Sequence, residues 1–389
     1  MKTNQPQKNI PPGWQQVKLG DICDFKKGKG LPKDDLTNDG KYEAIHYGEL
    51  FTKYHEKIEN ILSKTNNNKN VFLSKKNDIL MPTSDVTPRG LSTASFINKD
   101  GVILGGDILV IRPKSNILHG LFFSNFVSSQ KKEVIKLVSG TTVFHLYGSD
   151  MAKLRFCLPP LPEQNRIVSV LETWDKVIKN LNKKIEIKKQ IKKGLTDQYV
   201  YKRKDCTEYF IEDLFELGRG RVIAKNEIET NPGNFPVYSS QTSNNGIFGS
   251  INTYDFEGEY LTWTTDGAHA GKVFYRKGKF NCTNVCGTAK LKPNLQANLY
   301  FICSYLNYIT KNYVSYVGNP KLMNNVFGKI QIRLPNIKEQ NEISDILIIT
   351  DEEISKLEKK LSLVKEQKRY LLNNLITGTI RTPENLSIK

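Results

Sequence analysis

Side chains that could carry out chemistry are scattered along this 389-residue chain rather than grouped. The histidines form no cluster in the sequence; they are His46, His55, His119, His145 and His269. The sequence also lacks a phosphate-binding loop, a dinucleotide-type Gly-x-Gly-x-x-Gly after a strand, and the Asn-Pro-Pro-aromatic motif of amino-methyltransferases. These observations predict no catalytic residue and no cofactor in this chain.

Metal ligands are scarce as well. Among six cysteines only Cys282 and Cys286 lie close in sequence, and no second pair or histidine cluster completes a zinc site. A metal site is therefore not expected. A nuclease-type carboxylate cluster stays open as an alternative, because such sites are weakly patterned. Its members would be Asp34, Asp35, Asp78 and Asp85.

The charge of the chain indicates the kind of partner. It has 57 Lys and Arg against 40 Asp and Glu, a net charge of +17. Such an excess attracts polyanions through counterion release and long-range steering. Between residues 176 and 193 eight lysines accompany a single acidic residue, Glu186. A solvated helix face explains this run as well as contact with a DNA backbone does, so both interpretations remain open.

Two long helical patterns must position whatever residues act, and they repeat each other. The segment 158–167, Leu-Pro-Pro-Leu-Pro-Glu-Gln-Asn-Arg-Ile, returns at 334–343 as Leu-Pro-Asn-Ile-Lys-Glu-Gln-Asn-Glu-Ile. Apolar residues then recur at alternating spacings of three and four, which is typical of a coiled-coil seam. The predicted seam residues are Ile167, Leu171, Trp174, Ile178, Leu181, Ile185, Ile343, Leu347, Ile354, Leu357 and Leu361. Each seam could instead pack on its own globular part, but two equal seams in one chain favour packing on each other. Gly378 is expected to stop the second helix.

The globular parts in front of these helices match only at their edges. Leu19-Gly20-Asp21-Ile22 resembles Ile211-Glu212-Asp213-Leu214, whereas the interiors hardly match. The predicted fold class is α+β: two globular domains of mixed, short-stranded α/β structure, separated by two long helices packed as an antiparallel coiled coil, with a pseudo-twofold internal repeat. The predicted boundaries are 1–157 for the first domain, 158–203 for the first helical region, 204–333 for the second domain, 334–382 for the second helical region and 383–389 for a tail.

Neither end of the sequence suggests membrane insertion or export. Met1–Gln5 lacks an apolar signal region, and no apolar run approaches ~18 residues. The scattered cysteines are typical of reduced, cytosolic proteins. A cytoplasmic location is expected.

Taken together, these motifs resemble those of the specificity subunits of Type I restriction–modification systems, over nearly the whole chain. Gly13-Trp14 leading to Val17-Lys18-Leu19-Gly20-Asp21-Ile22 resembles the opening of a target recognition domain in that family. Asp78–Ser84 with Leu104–Asp107 looks like one common subtype of that domain, and Tyr260–Tyr275 looks like another. The most specific stretch is Leu158–Gln164 with the apolar seam behind it; its second copy departs from the family pattern at Asn336 and Lys338.

The resemblance implies a non-catalytic subunit that binds double-stranded DNA. Its two target recognition domains would read two short half-sites of an asymmetric site, and the helix pair would set the unspecified gap between them. It would recruit two modification subunits, which bind S-adenosylmethionine and methylate adenine N6, and two restriction subunits, which use ATP and Mg²⁺. No cofactor is then expected in this chain. The recognised sequence and the gap length cannot be read from it.

Base-reading residues are predicted from polar side chains in loops, and phosphate contacts from basic ones. In the first domain the candidates are Thr83, Ser84, Thr87, Arg89, Thr141, Thr142 and His145, with Lys26 and Lys27 on phosphates. In the second they are Ser239, Ser240, Gln241, Asn244, Asn245, Thr264, His269 and Lys321, with Arg219 and Arg221 on phosphates. Any of these could equally be a solvated loop residue or a strand end.

Two other classes of protein stay open at this point. One is a self-contained methyltransferase or nuclease, which would act on plasmid DNA without partners. The other is a coiled-coil scaffold whose globular parts bind carbohydrate or protein. Binding to random duplex DNA across a salt series separates them, because a DNA reader must weaken steeply as salt rises.

Overall fold

A computed structural model describes residues 10–202 and 205–386. The predicted boundary at residues 203 and 204, the start Met1–Gln5 and residues 387–389 of the predicted tail lie outside the described residues. The chain divides into two compact units, one formed by 1–180 with 361–389 and the other by 181–360. The strand-rich part of each unit is called its head below. The exact domain boundaries given above remain predictions.

Among its described residues, head one has thirteen short strands and five short α-helices. Its strands are β1 (Gln15–Lys18), β2 (Cys23–Lys27), β3 (Leu36–Thr37), β4 (Tyr42–Ile45), β5 (Ser63–Thr65), β6 (Phe72–Leu73), β7 (Asp78–Pro82), β8 (Ser84–Asp85), β9 (Ser95–Ile97), β10 (Ile103–Leu104), β11 (Ile108–Pro113), β12 (Phe144–His145) and β13 (Arg155–Leu158). Its helices are α1 (Leu19–Ile22), α2 (Glu49–Thr52), α3 (Gly120–Ser129), α4 (Lys131–Ile135) and α5 (Gly148–Met151). The first long helix, α6 (Leu161–Leu195), follows and continues as a π-helical segment, Thr196–Tyr201.

Two sheets form the centre of head one. One has the strand order β2-β11-β7-β9 and the other β3-β5-β4-β10-β6. Ile79, Leu80 and Met81 in β7 are buried without alternation, as are Ile108–Ile111 in β11. Such continuous apolar runs are expected for strands that are covered on both faces. Helix α3 lies in this core, with Phe122 and Phe123 fully buried.

Head two is built around a single six-stranded sheet. Its strands are β14 (Thr207–Phe210), β15 (Phe215–Arg219), β16 (Pro232–Tyr238), β17 (Ile247–Ile251), β18 (Phe256–Thr264), β19 (Val273–Cys282), β20 (Cys286–Leu291) and β21 (Gln331–Leu334), and its helices are α7 (Ile211–Leu214), α8 (Lys225–Thr230), α9 (Leu299–Ile309) and α10 (Asn324–Gly328). The sheet order is β15-β20-β18-β19-β16-β17. Trp263 is fully buried at its centre and stacks on Phe327 at 3.8 Å between ring centroids. The second long helix, α11 (Ile337–Thr377), follows β21.

The repeat seen in the sequence has a structural counterpart at the base of each head. β1 pairs antiparallel with β13, Gln15 opposite Leu158, and β14 pairs antiparallel with β21, Thr207 opposite Leu334. The first members of these pairs differ by 192 in residue number (15 and 207), and the second members differ by 176 (158 and 334). Both differences are those of the sequence repeat, so each head begins and ends in the same two-stranded collar.

A buried glutamine joins each long helix to the helix inside its head. The Oε1 atom of Gln164 accepts from the backbone N–H of His119, which caps α3, at 2.8 Å. Its Nε2 donates to the carbonyls of Ile117 and Pro159, both at 2.9 Å. Gln340 repeats this joint in head two, accepting from Asn298, the cap of α9, at 2.9 Å and donating to Pro335 at 2.8 Å. The glutamine of the repeated motif therefore has the same positional role in both units.

The long helices pair antiparallel within each unit. In the second unit Lys188 bonds Glu353 at 2.5 Å and Lys192 bonds Asp351 at 2.6 Å, so residue numbers rise in α6 as they fall in α11. In the first unit Lys368 bonds Asp175 at 2.5 Å. Asp175 and Lys192 become Asp351 and Lys368 when 176 is added to each residue number. The same cross-helix ion pair thus occurs once in each unit, as an internal repeat requires.

The predicted seam residues face inward. Ile167, Leu171, Leu181, Ile185, Ile343, Leu347 and Ile354 are buried, and Trp174, Ile178, Leu357 and Leu361 are half-buried. The first turns of each helix also pack on a head, because Ile167 and Leu171 belong to the core of head one and Ile343 and Leu347 to that of head two. The two packing modes weighed from the sequence therefore coexist. The predicted fold class, mixed α/β heads with paired antiparallel helices in an internal repeat, is confirmed.

The second long helix ends where the sequence predicted. Helix α11 stops at Thr377, and Gly378 adopts a positive φ of 74°. A Cβ at Gly378 would also lie 2.4 Å from Pro11, so a larger residue is doubly disfavoured.

Beyond Gly378, Arg381 forms a bidentate ion pair with the buried Glu163, at 2.6 and 2.7 Å, and Trp14 donates to the same carboxylate at 3.0 Å.

Candidate nucleic-acid interface

Two loops of head one meet at the end of its four-stranded sheet. The strand-end loop, residues 83–90, follows β7, and the facing hairpin spans residues 139–145. Ser139 and His145 exchange backbone hydrogen bonds of 3.0 and 2.7 Å, which closes the hairpin. The N–H of Leu146 donates to Thr83 at 3.0 Å, and the N–H of Thr83 donates to Asp107 at 3.0 Å. Candidate residues that are some 60 positions apart in sequence are thereby brought side by side, with His145 opposite Ser84.

Head two contains the same arrangement of a strand-end loop bonded to a facing hairpin, which is called the frame below. Its strand-end loop, residues 265–271, follows β18, and its facing hairpin spans residues 315–321. Ser315 and Lys321 exchange two backbone hydrogen bonds, both of 2.9 Å. The N–H of Leu322 donates to Thr265 at 2.9 Å, and the N–H of Thr265 donates to Val285 at 3.0 Å. The hairpins are related by the same difference of 176 in residue number as the long helices.

The side chains on this shared frame differ between the heads. In head one Thr87, Arg89, Thr141 and Thr142 are exposed, whereas Ser84 and His145 are partly buried. In head two the frame carries Asp266 opposite Lys321, with an exposed His269 in the strand-end loop. A polar hydroxyl-rich surface in one head therefore corresponds to a charged one in the other. Such a difference on a constant backbone is what two readers of unlike targets need.

Basic residues flank the frame at equivalent strand ends. Lys27 ends β2 and lies 3.2 Å from Asp107, and its neighbour Lys26 is exposed. Arg219 ends β15 at the equivalent position, with its guanidinium 3.5 Å from the Asp266 carboxylate. These positions are related by 192 in residue number, the difference found for the front of the repeat. Lys27 and Arg219 keep exposed side chains, at 64% and 40%, so both can reach a phosphate.

Head two also has a third polar loop, residues 239–246, which is not part of the shared frame. Ser239, Ser240 and Gln241 are half-buried, and Asn244 and Asn245 are exposed with positive φ angles of 48° and 52°. The buried Arg276 holds this loop by donating to the Asn245 carbonyl at 2.9 Å. Its guanidinium lies 3.5 Å from the Tyr238 ring centroid and 4.4 Å from that of Phe274. Burial lowers the pKa of Arg276, and the aromatic faces offset part of that desolvation.

One predicted contact, Thr264, is buried, and another, Arg221, is engaged by carboxylates of its own head. Thr264 is only 1% exposed, because β18 continues through it and it pairs with Cys286 in the ladder. Its side chain therefore offers no surface to DNA. The guanidinium of Arg221 is bonded to Glu227 at 2.5 and 3.0 Å and to Asp255 at 3.0 Å. The hydrogen bonds that Arg221 donates to Glu227 raise the pKa of Arg221, and the two carboxylates occupy donors that a phosphate would need.

Thr83 is better explained as part of the frame than as a reader. Its hydroxyl donates to the Asp107 carbonyl at 3.2 Å, and its backbone holds both loops. Sequence reasoning missed Arg276, Asp266 and the hairpin tip Tyr316-Val317. A signal for the hairpins was present: Val138-Ser139 and Leu146 return as Val314-Ser315 and Leu322, again 176 residues later.

The nuclease-type alternative finds no support in the positions of its aspartates. Asp78 is fully buried and forms a bidentate ion pair with Arg112, both bonds measuring 2.7 Å. Asp85 accepts from Val86 and Thr87 within its own loop. Over residues 10–202 and 205–386, no group of three or more His, Cys, Asp or Glu side chains could hold a metal ion. Within the same residues, no helix combines the length and apolar character needed to cross a membrane.

Comparison with known proteins gives a consistent picture. The sequence profile described as the Type I restriction modification DNA specificity domain matches this chain twice, at residues 11–193 and 203–365. A Mycoplasma pneumoniae protein named as a type I specificity subunit is 41% identical over 170 residues, which cover 42% of this chain and 56% of that relative. The chain thus spans about half of the length of this relative in the match.

Solved structures share the fold. The S subunit of a Type I restriction–modification system from M. genitalium matches with a TM-score of 0.65 and 19% identity, covering 95% of this chain and 97% of that one. A structure from a study of complex assembly and conformational transition of the type I R-M system matches with a TM-score of 0.58 and 15% identity, covering 95% and 99%. With two profile matches spanning most of its length, the chain belongs to the family of Type I restriction–modification DNA specificity proteins.

Proposed function

We propose that this chain is the non-catalytic DNA reader of a Type I restriction–modification enzyme and that its two heads read the two halves of an asymmetric duplex site. The observation that carries the proposal is the shared frame: the same backbone hydrogen bonds hold a strand-end loop against a facing hairpin in both heads, with different side chains on each. The net charge of +17 supports a polyanionic target.

The readers proposed for the first half-site are Ser84, Thr87, Arg89, Thr141, Thr142 and His145. Those proposed for the second are Ser239, Ser240, Gln241, Asn244, Asn245, His269 and Lys321. Lys26, Lys27 and Arg219 would contact phosphates and fix the register on the duplex. Arg89 is the sharpest candidate, because an exposed guanidinium can bond guanine O6 and N7 bidentately.

The helix pair would set the gap between the half-sites. Two stiff helices held by a repeated ion pair and a common apolar seam make the second reading event intramolecular, which raises affinity without new contacts. Two half-sites at a constant spacing then follow from the internal repeat, as they follow from dimer symmetry in repressors.

A pair of single substitutions tests whether each head reads one half-site only. In a complex of the full chain with the modification subunits of its own system, Arg89→Ala should relax base preference in one half-site, and Lys321→Ala should do so in the other. Each should weaken binding to the correct site by about 5-fold to 150-fold, which corresponds to ~1–3 kcal/mol per lost base contact. If either substitution altered both halves equally, the proposal would fail.

The modification subunits, which bind S-adenosylmethionine and methylate adenine N6, would dock on outer faces of the long helices, and restriction subunits using ATP and Mg²⁺ would join that complex. This part of the proposal rests on family membership and on exposed apolar residues of α11. Ile346 is 51% exposed and Ile349 is 59% exposed. Ile346→Asn with Ile349→Asn should abolish co-purification with the modification subunit, while Lys356→Asn on an exposed position of α11 should not. Undiminished co-purification of the double variant would contradict it.

A further inference from the structure

The facing hairpin of head two carries an apolar tip that nothing covers in its unit. Val317 is 91% exposed and Tyr316 is 64% exposed, and the two residues are adjacent. The equivalent positions of head one hold Gly140 and Thr141, because the hairpins are related by 176 in residue number. The apolar tip is therefore a property of one head and not of the frame.

This tip is held in place rather than loosely attached. Ser315 and Lys321 close the hairpin with two backbone hydrogen bonds, and the Pro320 carbonyl accepts from Gly267 of the strand-end loop at 2.9 Å. Gly318 takes a φ of 73°, which an L side chain rarely adopts and which turns the chain immediately after Val317. A rigid support means that little conformational entropy is lost when the tip binds.

The surroundings of the tip are cationic. Lys321 and Arg219 lie at the foot of the hairpin with side chains 53% and 40% exposed. They share one carboxylate, that of Asp266, at 4.0 and 3.5 Å. Two cations and one anion leave a net positive charge at the base of the hairpin, beside its apolar tip. The complementary ligand is a polyanion that also presents an apolar group.

Duplex DNA presents one such group in its major groove, the 5-methyl of thymine. We propose that Tyr316 and Val317 read thymine methyl groups in the second half-site, beside the base contact of Lys321, while Arg219 holds an adjacent phosphate. This inference rests on the proposed function and deepens it, since it assigns a base type to one loop of one head. Head one has Gly140 and Thr141 at the same positions and offers only the single methyl group of Thr141 there.

Deoxyuridine substitution tests the proposal, because it removes the methyl group and leaves base pairing intact. The full chain in complex with its modification subunits would be titrated with duplexes carrying deoxyuridine at each thymine of the second half-site in turn. At one or two positions we expect affinity to fall about threefold to fivefold, as burial of one methyl group predicts. The same replacement in the first half-site should have no effect through this hairpin.

The matched variants are Val317→Ser, which removes both methyl groups, and Val317→Ile, which keeps the apolar surface. Val317→Ser together with Tyr316→Gly should bind thymine and deoxyuridine duplexes equally, whereas Val317→Ile should keep the preference. Equal sensitivity of wild type and the double variant to deoxyuridine would overturn the inference. Equal binding of thymine and deoxyuridine duplexes by the wild type would also overturn it. This holds even if 2-aminopurine fluorescence shows the tip inserted between base pairs. Failure of the wild type to prefer any bipartite site would instead overturn the proposed function.

Discussion

The two heads share a frame and differ in almost everything attached to it. In both, a collar of two strands leads into the head, a buried glutamine joins the head to its long helix, and a strand-end loop meets a facing hairpin. Between these points head one has two sheets of four and five strands, whereas head two has one sheet of six. The parts that are alike in the two heads fix position, and the parts that differ include the loops proposed to read DNA.

The side chains at the loop tips can change without loss of the fold. The frame is held by backbone hydrogen bonds, which do not depend on the side chains at the loop tips. Surface substitutions that leave caps and buried polar groups intact usually cost within about 0.5 kcal/mol. New readers can therefore arise on either head with little cost in stability.

The largest expected effect comes from exchanging side chains between the frames. Ser84→Asp, Thr141→Val, Thr142→Gly and His145→Lys would give head one the residues that head two has at these positions. We expect the first half-site to change and the original one to bind on the order of 1,000-fold more weakly, because four altered base contacts at ~1 kcal/mol each sum to ~4 kcal/mol. The second half-site should be unchanged in methylation mapping. A change in both halves would contradict the independence of the heads.

Next in size is the loss of stability expected when the buried Gln164 or Gln340 is replaced. Gln164→Ala removes three hydrogen bonds of a fully buried amide and should lower the free energy of unfolding by about 3 kcal/mol. Gln340→Ala removes two and should cost about 2 kcal/mol. Thermal unfolding would measure both, with the exposed Gln190→Ala as a control near zero. Equal costs at all three positions would refute the positional role.

A smaller effect is expected on the second half-site when the 239–246 loop of head two loses its support. Arg276→Met keeps most of the side-chain volume but loses the bond to Asn245 that holds residues 239–246. We expect affinity for the second half-site to fall about 10-fold, or ~1.4 kcal/mol, with the first half-site unaffected. Competition between duplexes altered in one half or the other would measure this. An equal loss for both halves would mean that Arg276 acts on stability alone.

The smallest expected difference concerns pH. His119 and Asn298 cap α3 and α9 at equivalent places, and only His119 titrates. Burial lowers the pKa of His119, whose Nδ1 accepts from the Leu121 N–H at 3.2 Å. The unfolded chain therefore binds this proton more readily, so stability is full above about pH 6.5 and falls as the pH is lowered through that range. Unfolding scans between pH 7 and pH 5 should show a smaller decline in His119→Asn, and an identical decline would contradict the assignment. The pKa of His46 is also lowered by burial, so some dependence should remain.

The long helices and the repeat could be predicted from sequence because both are local periodic signals. Ile167, Leu171 and their counterparts recur at fixed spacings, and Gly378 marks a stop that depends on backbone conformation alone. Arg276 could not be predicted, since its role depends on contacts with Tyr238, Thr262 and Asn245, which come from other strands and a loop. The error at Thr264 arose because β18 runs one residue further than its apolar run indicates.

Methylation mapping of a cell that makes this chain with its own modification subunits tests the central claim most directly. We expect one asymmetric split motif: two short fixed segments of different sequence, with methylated adenine in them and an invariant number of unspecified bases between. A continuous motif, a palindromic one or a variable gap would contradict two unlike heads reading at a set distance.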